Sequence, residues 1–310
     1  MSSLIVAFDV GGTQIKAAAV IDGEVSEATV GYYASTADLD AEPLIAYFAD
    51  VFGQVLAQTE SDSAVDGFGL AFPGPFDYTE GVSRIRGLGK FDSLYGLPFG
   101  RLLEQALRRE PAISRRLAPH FRIAFENDAL LFGLGESASG GAAAEARRAL
   151  CLTIGTGLGS CFLEEGKPVK RREDVPDEGW LYRLPYGAGI ADDCISRRGV
   201  LELAGRQGLA AAELDVRDLA MLADEEDMGA RSVFEQFGQR MAQILLPSLL
   251  SFRPDTIVLG GQISKSAHLF VPAFQTGLLS NCPEIDIRVS RSTLFSTLLG
   301  IHDFVISRHE

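Results

Sequence analysis

The feature that most constrains this chain is a strand–turn–strand pattern at its beginning. Residues 4–8 form an apolar run typical of a buried strand, and residues 15–21 form a second one. The turn between them holds two glycines and a threonine, and Asp9 opens it. Glycine lets a backbone turn sharply and approach a ligand closely, so the amides of such a turn can face an anion. Asp9 would repel a bare phosphate but could hold a hydrated Mg²⁺ that bridges to one.

The same pattern recurs about half a chain later. An apolar run at 151–154 leads into the turn Gly155-Thr156-Gly157, and an apolar strand and an acidic turn follow. A single glycine turn is more often a plain hairpin, but two of them predict a duplicated core with a nucleotide between its halves. The Walker pattern is absent because neither Gly-Lys pair, at 89–90 and 166–167, precedes Ser or Thr. The spacing around residue 157 also differs from that of a Rossmann dinucleotide loop.

Composition excludes several classes of protein. At 310 residues, with 46% hydrophobic and 23% charged residues, the chain is long enough for two globular domains. A formal net charge of −14 disfavours nucleic acids and anionic membranes as partners. No apolar run reaches membrane-spanning length, and no basic segment precedes the first strand. The four cysteines show no CxxC spacing, which favours reduced thiols in a cytoplasmic protein.

Apolar spacing predicts alternating strands and helices. Helices are expected at 41–59, 232–252, 263–278 and 294–307, and strands at 24–33, 65–72, 122–125, 255–259 and 285–289. Pro247 predicts a kink or break in its helix. The pattern is that of an α/β protein with two similar halves. We expect a first domain at 1–120 and a second at 121–293, with a C-terminal helix at 294–310 packing back on the first.

Asn127 and Asp128 follow a predicted strand and precede a predicted helix. Asn and Asp are preferred helix caps, so capping is the stronger interpretation from position alone. The alternative is a general base, because an alcohol that attacks a phosphoryl group needs a group that orients it and takes its proton.

Four motifs together resemble one known family. They are Phe-Asp-Val-Gly-Gly-Thr at 8–13, Glu-Asn-Asp-Ala at 126–129, Thr-Ile-Gly-Thr-Gly-Leu-Gly at 153–159 and Ile-Val-Leu-Gly-Gly at 257–261. In this order they resemble the ROK family of sugar kinases and repressors, within the actin-like, hexokinase-like ATPase superfamily. The resemblance implies two ribonuclease-H-like domains, with ATP, Mg²⁺ and a sugar meeting in the cleft between them.

The resemblance also implies roles for individual residues. Asp128 would be the base on the sugar hydroxyl, with Asn127 and Gly74 touching the sugar. Asp9 would hold Mg²⁺ through water or the ATP phosphates. The residues implied to bind ATP are Asp9, Gly11, Gly12, Thr13, Lys16, Gly155, Thr156, Gly157, Gly159, Gly260 and Gly261.

Two further carboxylates are candidates for the sugar. Counting without gaps from Gly166 places Glu178 on a glutamate that contacts sugar hydroxyls in the family, and Glu202 is a second candidate. The alternative is that each of them is an ordinary charged side chain in solvent. Residues 86–88 read Arg-Gly-Leu where sugar kinases of the family often have Pro-Asn-Leu, which argues against an assignment to glucose in particular.

The chain departs from the family at its zinc site. The family's histidine position falls on Leu181, and its three cysteine positions fall on Asp193, Ile195 and Val200. These residues offer neither thiolate nor imidazole, so we expect no structural zinc. The loop would be held by packing instead, with its aromatic residues as candidates. Trp180, Tyr182 and Tyr186 could equally line a sugar.

The sequence thus predicts a cytoplasmic, ATP- and Mg²⁺-dependent kinase of a hexose or hexose derivative, and a homodimer. A sugar-responsive repressor is the rival from another class; only eight residues precede Asp9 and the chain is acidic, which disfavours DNA binding. Polyphosphate as the phosphoryl donor and a non-catalytic sugar-binding protein are further alternatives. Retention of Asp9, Asn127 and Asp128 together argues against the last.

Overall fold

The computed structural model describes residues 3–209 and 214–308. Its strands are β1 Leu4–Val10, β2 Gln14–Ile21, β3 Glu24–Val25, β4 Gly31–Ala34, β5 Val65–Ala71, β6 Phe76–Asp77, β7 Val82–Ser83, β8 Leu117–Glu126, β9 Arg148–Ile154, β10 Leu158–Glu164, β11 Lys167–Pro168, β12 Pro185–Tyr186, β13 Gly189–Ile190, β14 Thr256–Gly260 and β15 Asp286–Val289. Its helices are α1 Ala41–Ala57, α2 Phe99–Arg109, α3 Pro111–Ser114, α4 Asp128–Ser137, α5 Ala191–Cys194, α6 Arg197–Arg206, α7 Val216–Asp224, α8 Met228–Phe252, α9 Ala267–Leu278 and α10 Thr293–Ile306.

The chain divides into two compact units. Unit 1 comprises Met1–Gly135 with Leu294–Glu310, and unit 2 comprises Glu136–Thr293. The division falls later than the expected boundary at residue 120, because β8 is the last strand of the first sheet and α4 follows it directly. The C-terminal helix is grouped with unit 1.

Unit 1 is built on a six-stranded sheet in the order β3-β2-β1-β5-β8, with β4 also pairing with β2. Strand β1 is antiparallel to β2 and parallel to β5, and β5 is parallel to β8. Successive side chains of a strand point to opposite faces, and helices cover both faces here. Phe8 packs in the cluster that contains Phe52 of α1. Ile5 packs in the cluster that contains Ile301 of α10.

Unit 2 repeats this plan with a five-stranded sheet in the order β11-β10-β9-β14-β15. An antiparallel hairpin, β9 with β10, is again followed by two parallel strands, β14 and β15. Leu150 and Leu152 of β9 are fully buried in one cluster with Phe237 of α8 and Phe270 of α9. The expected α/β fold with two similar halves is therefore present.

Several elements differ from the sequence-based expectation. The strand expected at 24–33 is two short strands separated by a 3-10 turn at Glu27–Thr29. Helix α8 continues through Pro247 without a break, so only a kink stays a prediction there, and β8 begins before the predicted residue 122. Helices α5, α6 and α7 were not predicted at all, since their segments carry charges among short apolar runs.

A membrane-spanning helix would have to be both long and strongly apolar. None of the helices in the described ranges meets both conditions.

Candidate functional site

The carboxyl ends of three parallel strands gather the predicted residues of unit 1 at one edge of its sheet. Asp9 on β1 lies beside Ala71 on β5, and Ala71 lies beside Glu126 on β8. The first glycine turn, Gly74 and Asp128 each follow one of these strands, so the sheet brings together segments far apart in sequence. Gly74 is exposed.

The first turn is fixed by hydrogen bonds at its base and is open at its tip. The amide of Gly11 donates to the carbonyl of Gln14 at 2.9 Å, and the hydroxyl of Ser35 donates to the carbonyl of Gly12 at 2.7 Å. Within the described residues, the amides of Gly12 and Thr13 donate no hydrogen bond. Two neighbouring amides without a partner can bind an anion.

An ion pair lies beside this turn. Asp9 faces Lys16 across the hairpin, and Lys16 Nζ donates to Asp9 Oδ2 at 2.8 Å. Both side chains keep partial exposure, 19% for Asp9 and 31% for Lys16. The pair engages only one oxygen of Asp9, so the other can accept from a water molecule of a hydrated cation.

The sequence left two roles open for Asn127 and Asp128, helix cap and general base. Asn127 Oδ1 accepts from the amides of Ala129 at 3.1 Å and Leu130 at 3.3 Å, so its side chain caps α4. Because Asn127 supplies the cap, Asp128 is not needed as the capping residue. The residue Asp128 keeps a solvent-accessible surface, although protein surrounds its carboxyl, so a bound molecule can reach it.

The electrostatic environment favours the protonated form of Asp128. The pKa of its carboxyl is raised above the usual value, first because surrounding protein displaces water and second because Asp9 is negatively charged. Hydrogen bonding to backbone amides and the charge of Lys16 act in the opposite direction. A carboxylate with a raised pKa is a stronger proton acceptor than an ordinary aspartate.

Mg²⁺ fits the donor set at this edge. Asp9 and Asp128 interact electrostatically, and both supply the oxygen ligands that Mg²⁺ prefers. Mg²⁺ is usually held by one or two carboxylates together with substrate phosphates, so a dedicated protein cage is not required. The described part of the chain contains no group of three or more His, Cys, Asp or Glu placed to hold a metal ion.

The second turn, in unit 2, is braced by a different kind of contact. The amide of Gly155 donates to the carbonyl of Gly157 at 3.0 Å, and the amide of Leu158 donates to Asp192 Oδ1 at 2.7 Å. A Cβ at Gly157 would lie 2.8 Å from the same Asp192 oxygen, so the carboxylate crosses directly over the turn. The amides of Thr156 and Gly157 donate to none of the described residues.

Asp192 itself is held by Arg198, whose guanidinium donates to its second oxygen. The amide of Arg197 donates to the carbonyl of Gly155 at 2.8 Å. The segment from α5 to α6 therefore supports the turn at two points. Asp192 was not predicted as a functional residue, and no sequence pattern marked it.

Gly260 and Gly261 stay predictions as nucleotide-binding residues. Gly261 has φ +89°, and a Cβ there would lie 2.3 Å from the carbonyl oxygen of Ile154 at the end of β9. Its amide donates to Thr293 Oγ1 at 2.8 Å. Glycine at position 261 is thus required by the backbone, whatever ligand binds nearby.

Apolar residues occupy three of the positions at which the family resemblance predicts the zinc ligands. Leu181, Ile195 and Val200 are fully buried in the core of unit 2. The fourth position, Asp193, accepts from the amide of Ile190 at 3.1 Å and so caps α5. We name Leu181, Ile195 and Val200 the apolar cluster of the loop.

Glu178 lies in the same loop and has a left-handed backbone conformation, φ +54°. Such a conformation is uncommon for a residue other than glycine, and residues that adopt it are often found at functional sites. Its carboxylate forms an ion pair with Arg171. The adjacent backbone is fixed by Ser160, whose hydroxyl donates to the carbonyl of Gly179 at 2.6 Å and accepts from the amide of Leu181 at 3.0 Å.

The aromatic side chains of this loop form contacts of their own. The guanidinium of Arg183 lies 4.6 Å from the ring centroid of Trp180 and 5.2 Å from that of Tyr182. The hydroxyl of Tyr186 donates to Gln243 Oε1 at 2.9 Å. These contacts fit the packing interpretation of the three aromatics.

Glu202 is exposed on α6 and already has two cationic partners. Arg206 pairs with one of its oxygens at 2.5 Å and Arg240 with the other at 2.7 Å. A sugar would therefore have to share this carboxylate with both arginines. Its role as a sugar ligand stays a prediction.

Comparison with known proteins relates nearly the whole chain to a single family. A model of the ROK family matches residues 5–307. An N-acetyl-D-glucosamine kinase of Escherichia coli is 25% identical over 303 residues, covering 92% of this chain and 90% of the relative. An uncharacterized protein of Clostridium perfringens is 28% identical over 153 residues, and this match spans about half of each chain, 49% and 51%. The crystal structure of a glucokinase from Parabacteroides distasonis has a similar fold, with a TM-score of 0.78, 20% identity and 98% coverage of both chains.

Proposed function

Because the chain belongs to the ROK family, we propose that it is an ATP-dependent kinase of a hexose or hexose derivative. The proposal is supported by the E. coli relative, an N-acetyl-D-glucosamine kinase that aligns with nearly the whole chain. N-acetylated hexosamines are therefore the first sugars to test. The predicted homodimer and cytoplasmic location stay predictions, and light scattering on the purified protein tests the first of them.

The observation that carries the proposal is the carboxyl of Asp128. The residue keeps a solvent-accessible surface, its helix is capped by Asn127, and the pKa of its carboxyl is raised by the surrounding protein and by Asp9. In the proposed reaction, a sugar hydroxyl attacks the γ-phosphorus of ATP and ADP leaves. Asp128 orients the hydroxyl and accepts its proton late, as expected for a loose transition state.

The first turn would stabilise the transferred phosphoryl group. The open amides of Gly12 and Thr13 can donate to oxygens that carry negative charge in the transition state. Mg²⁺, held by Asp9 and by ATP, would neutralise charge on the phosphates. Lys16 restrains Asp9 through their ion pair.

A coupled assay of ADP release tests the proposal. Wild-type protein is given MgATP and a panel of N-acetylglucosamine, N-acetylmannosamine, glucosamine, glucose and mannose, and the product is identified by mass spectrometry. We expect saturable, sugar-dependent ADP release with at least one member of the panel, and a sugar phosphate as product. Release of ADP that does not depend on any sugar would contradict the proposal. Polyphosphate in place of ATP, in the same assay, tests the alternative donor.

A further inference from the structure

A lysine that the sequence analysis did not select crosses the first glycine turn. A Cβ at Gly12 would lie 2.8 Å from Cδ of Lys90 and 3.0 Å from its Nζ. The end of the Lys90 side chain therefore rests on the backbone of Gly12, beside the open amides of the turn. Gly12 has no left-handed φ, so the close approach of Lys90 is the feature that favours glycine at this position.

The backbone of Lys90 is held in place on both sides. Its neighbour Phe91 is fully buried and donates its amide to the carbonyl of Ala37 at 2.6 Å. On the other side, the amide of Gly89 donates to Asp92 Oδ2 at 3.0 Å. The fold thus fixes the backbone position from which the Lys90 side chain extends to the turn.

One short segment fixes both the turn and the lysine. Ser35 donates its hydroxyl to the carbonyl of Gly12 and its amide, at 3.1 Å, to the carbonyl of Thr13. Two residues later, Ala37 accepts from Phe91. Lys90 and the turn are therefore held together by the same three residues of chain.

The ammonium group of Lys90 has no ionic partner among the residues that the structure describes. Lys16, the other lysine of unit 1, is paired with Asp9, whereas Lys90 forms no ion pair with any residue that the structure describes. An ammonium group and two open amides at one turn form a positive site, and the nearby carboxylate of Asp9 is paired with Lys16 rather than with Lys90. Phosphate oxygens are the natural partners of such a site.

We propose that Lys90 binds the terminal phosphate of the phosphoryl donor at the first turn. This inference rests on the proposed function and identifies a residue of that same site. The terminal phosphate is specified because the group to be transferred must reach the sugar hydroxyl at Asp128, and Asp128 shares the sheet edge with this turn. Lys90 takes no proton and forms no bond in the reaction; it holds and neutralises the phosphoryl group.

A purely packing role is the alternative. The methylenes of a lysine can cover a glycine turn while its charge stays in water. Lys90→Met keeps most of the apolar length and removes only the charge, so it separates the two roles. Lys90→Gln is a second variant that keeps a polar end. Arg101→Gln removes a charge from an exposed position of α2 in the same unit and is the matched control.

The experiment measures binding of Mg·AMPPNP and of Mg·ADP by isothermal titration calorimetry. We expect Lys90→Met and Lys90→Gln to weaken Mg·AMPPNP about ten- to a hundredfold, the range for a hydrogen bond between charged groups, and Mg·ADP less than about threefold. Arg101→Gln should match wild type for both ligands. In turnover, KM for ATP should rise while KM for the sugar stays unchanged.

Equal affinity of wild type and both Lys90 variants for Mg·AMPPNP would overturn the proposal. An equal loss for AMPPNP and ADP would also overturn it, because it would place Lys90 away from the terminal phosphate. Failure of the proposed function looks different: wild type itself would then bind no Mg·AMPPNP and phosphorylate no sugar.

Discussion

The two glycine turns share a backbone plan but differ in the charge that each receives. Each joins two antiparallel strands and leaves two amides open at its tip. The first is crossed by the cation of Lys90, and the second by the carboxylate of Asp192. Lys90 brings an unpaired charge, whereas Asp192 is already neutralised by Arg198.

This difference teaches that duplicated turns need not have duplicated roles. At the first turn, the charged side chain leaves the tip amides open and adds a positive group beside them. At the second, Asp192 accepts from the amide of Leu158 and holds the turn in shape. We infer that the first turn binds the phosphate that is transferred. We infer that the second turn has a platform role, which means that Asp192 holds its backbone in place.

The largest expected effect tests whether the phosphoryl transfer takes place at the edge of the unit 1 sheet that carries the first turn. Asp128→Asn should lower kcat by at least about a hundredfold, because it removes the base and keeps the shape. Binding of Mg·AMPPNP should be retained. A variant with more than about a tenth of wild-type kcat would contradict the assignment of the base.

The same variant should not lose stability. Because the pKa of Asp128 is higher in the folded than in the unfolded state, stability falls as the pH rises above the unfolded pKa, and the loss is complete above the folded pKa. Removing the charge should leave Tm at neutral pH unchanged or slightly raised. A clear fall in Tm would show that the carboxylate has a structural role.

Asp192→Ala tests the platform role of the second turn. The amide of Leu158 loses its acceptor and Arg198 its partner, so the turn should loosen and affinity for Mg·AMPPNP should fall about three- to tenfold. Asp192→Asn keeps an acceptor oxygen and should recover most of the affinity. Calorimetric titration of both variants measures this, with Glu284→Ala as a control at an exposed acidic residue. Equal losses for the two Asp192 variants would point to the negative charge rather than to the hydrogen bond.

A smaller effect is expected from Gly12→Ala, which sharpens the role of Lys90. The added methyl would displace the end of Lys90, so Mg·AMPPNP should bind a few-fold more weakly while stability changes by less than about 1 kcal/mol. In a Lys90→Ala background the methyl meets no lysine, and its effect should vanish in the double-mutant cycle. A loss that persists there would mean that the phosphate itself approaches Gly12 too closely for a methyl group.

The smallest expected effect is a shift in the pH profile. The positive charge of Lys16 lowers the pKa of Asp128, so Lys16→Gln should raise it. Asp128 must be deprotonated to act as a base, so activity would then be lost at a higher pH on acidification. The acid limb of log kcat/KM against pH measures this shift, and Lys167→Gln, at an exposed lysine of unit 2, should leave it in place. A downward shift for Lys16→Gln would contradict the proposed arrangement of charges.

Local patterns explain why much of the site could be predicted from sequence. A buried strand, a glycine turn and a second strand are consecutive in the chain, so both hairpins were found directly. The resemblance then implied that Asp128 is the base, and the structure added that Asn127 caps α4. Family membership and the α/β fold are confirmed by the comparisons.

Other features depend on contacts that no local pattern encodes. Lys90 reaches its turn from a loop and Asp192 from helix α5, both distant in sequence from the turns, so neither spacing nor composition pointed to them. Helix α8 contains Pro247 without a break, although a proline inside a helix removes a backbone hydrogen bond. The late boundary between the units likewise follows from strand pairing, since β8 completes the first sheet.

The apolar cluster of the loop decides which conditions can loosen it. A loop held by thiolate-bound metal opens when a chelator or an oxidant removes a ligand. Leu181, Ile195 and Val200 are fully buried, so the packing of this segment depends on the strength of the hydrophobic effect. That effect weakens on cooling and in urea. Cold and chaotropes are therefore conditions under which we expect the packing beside Glu178 to weaken.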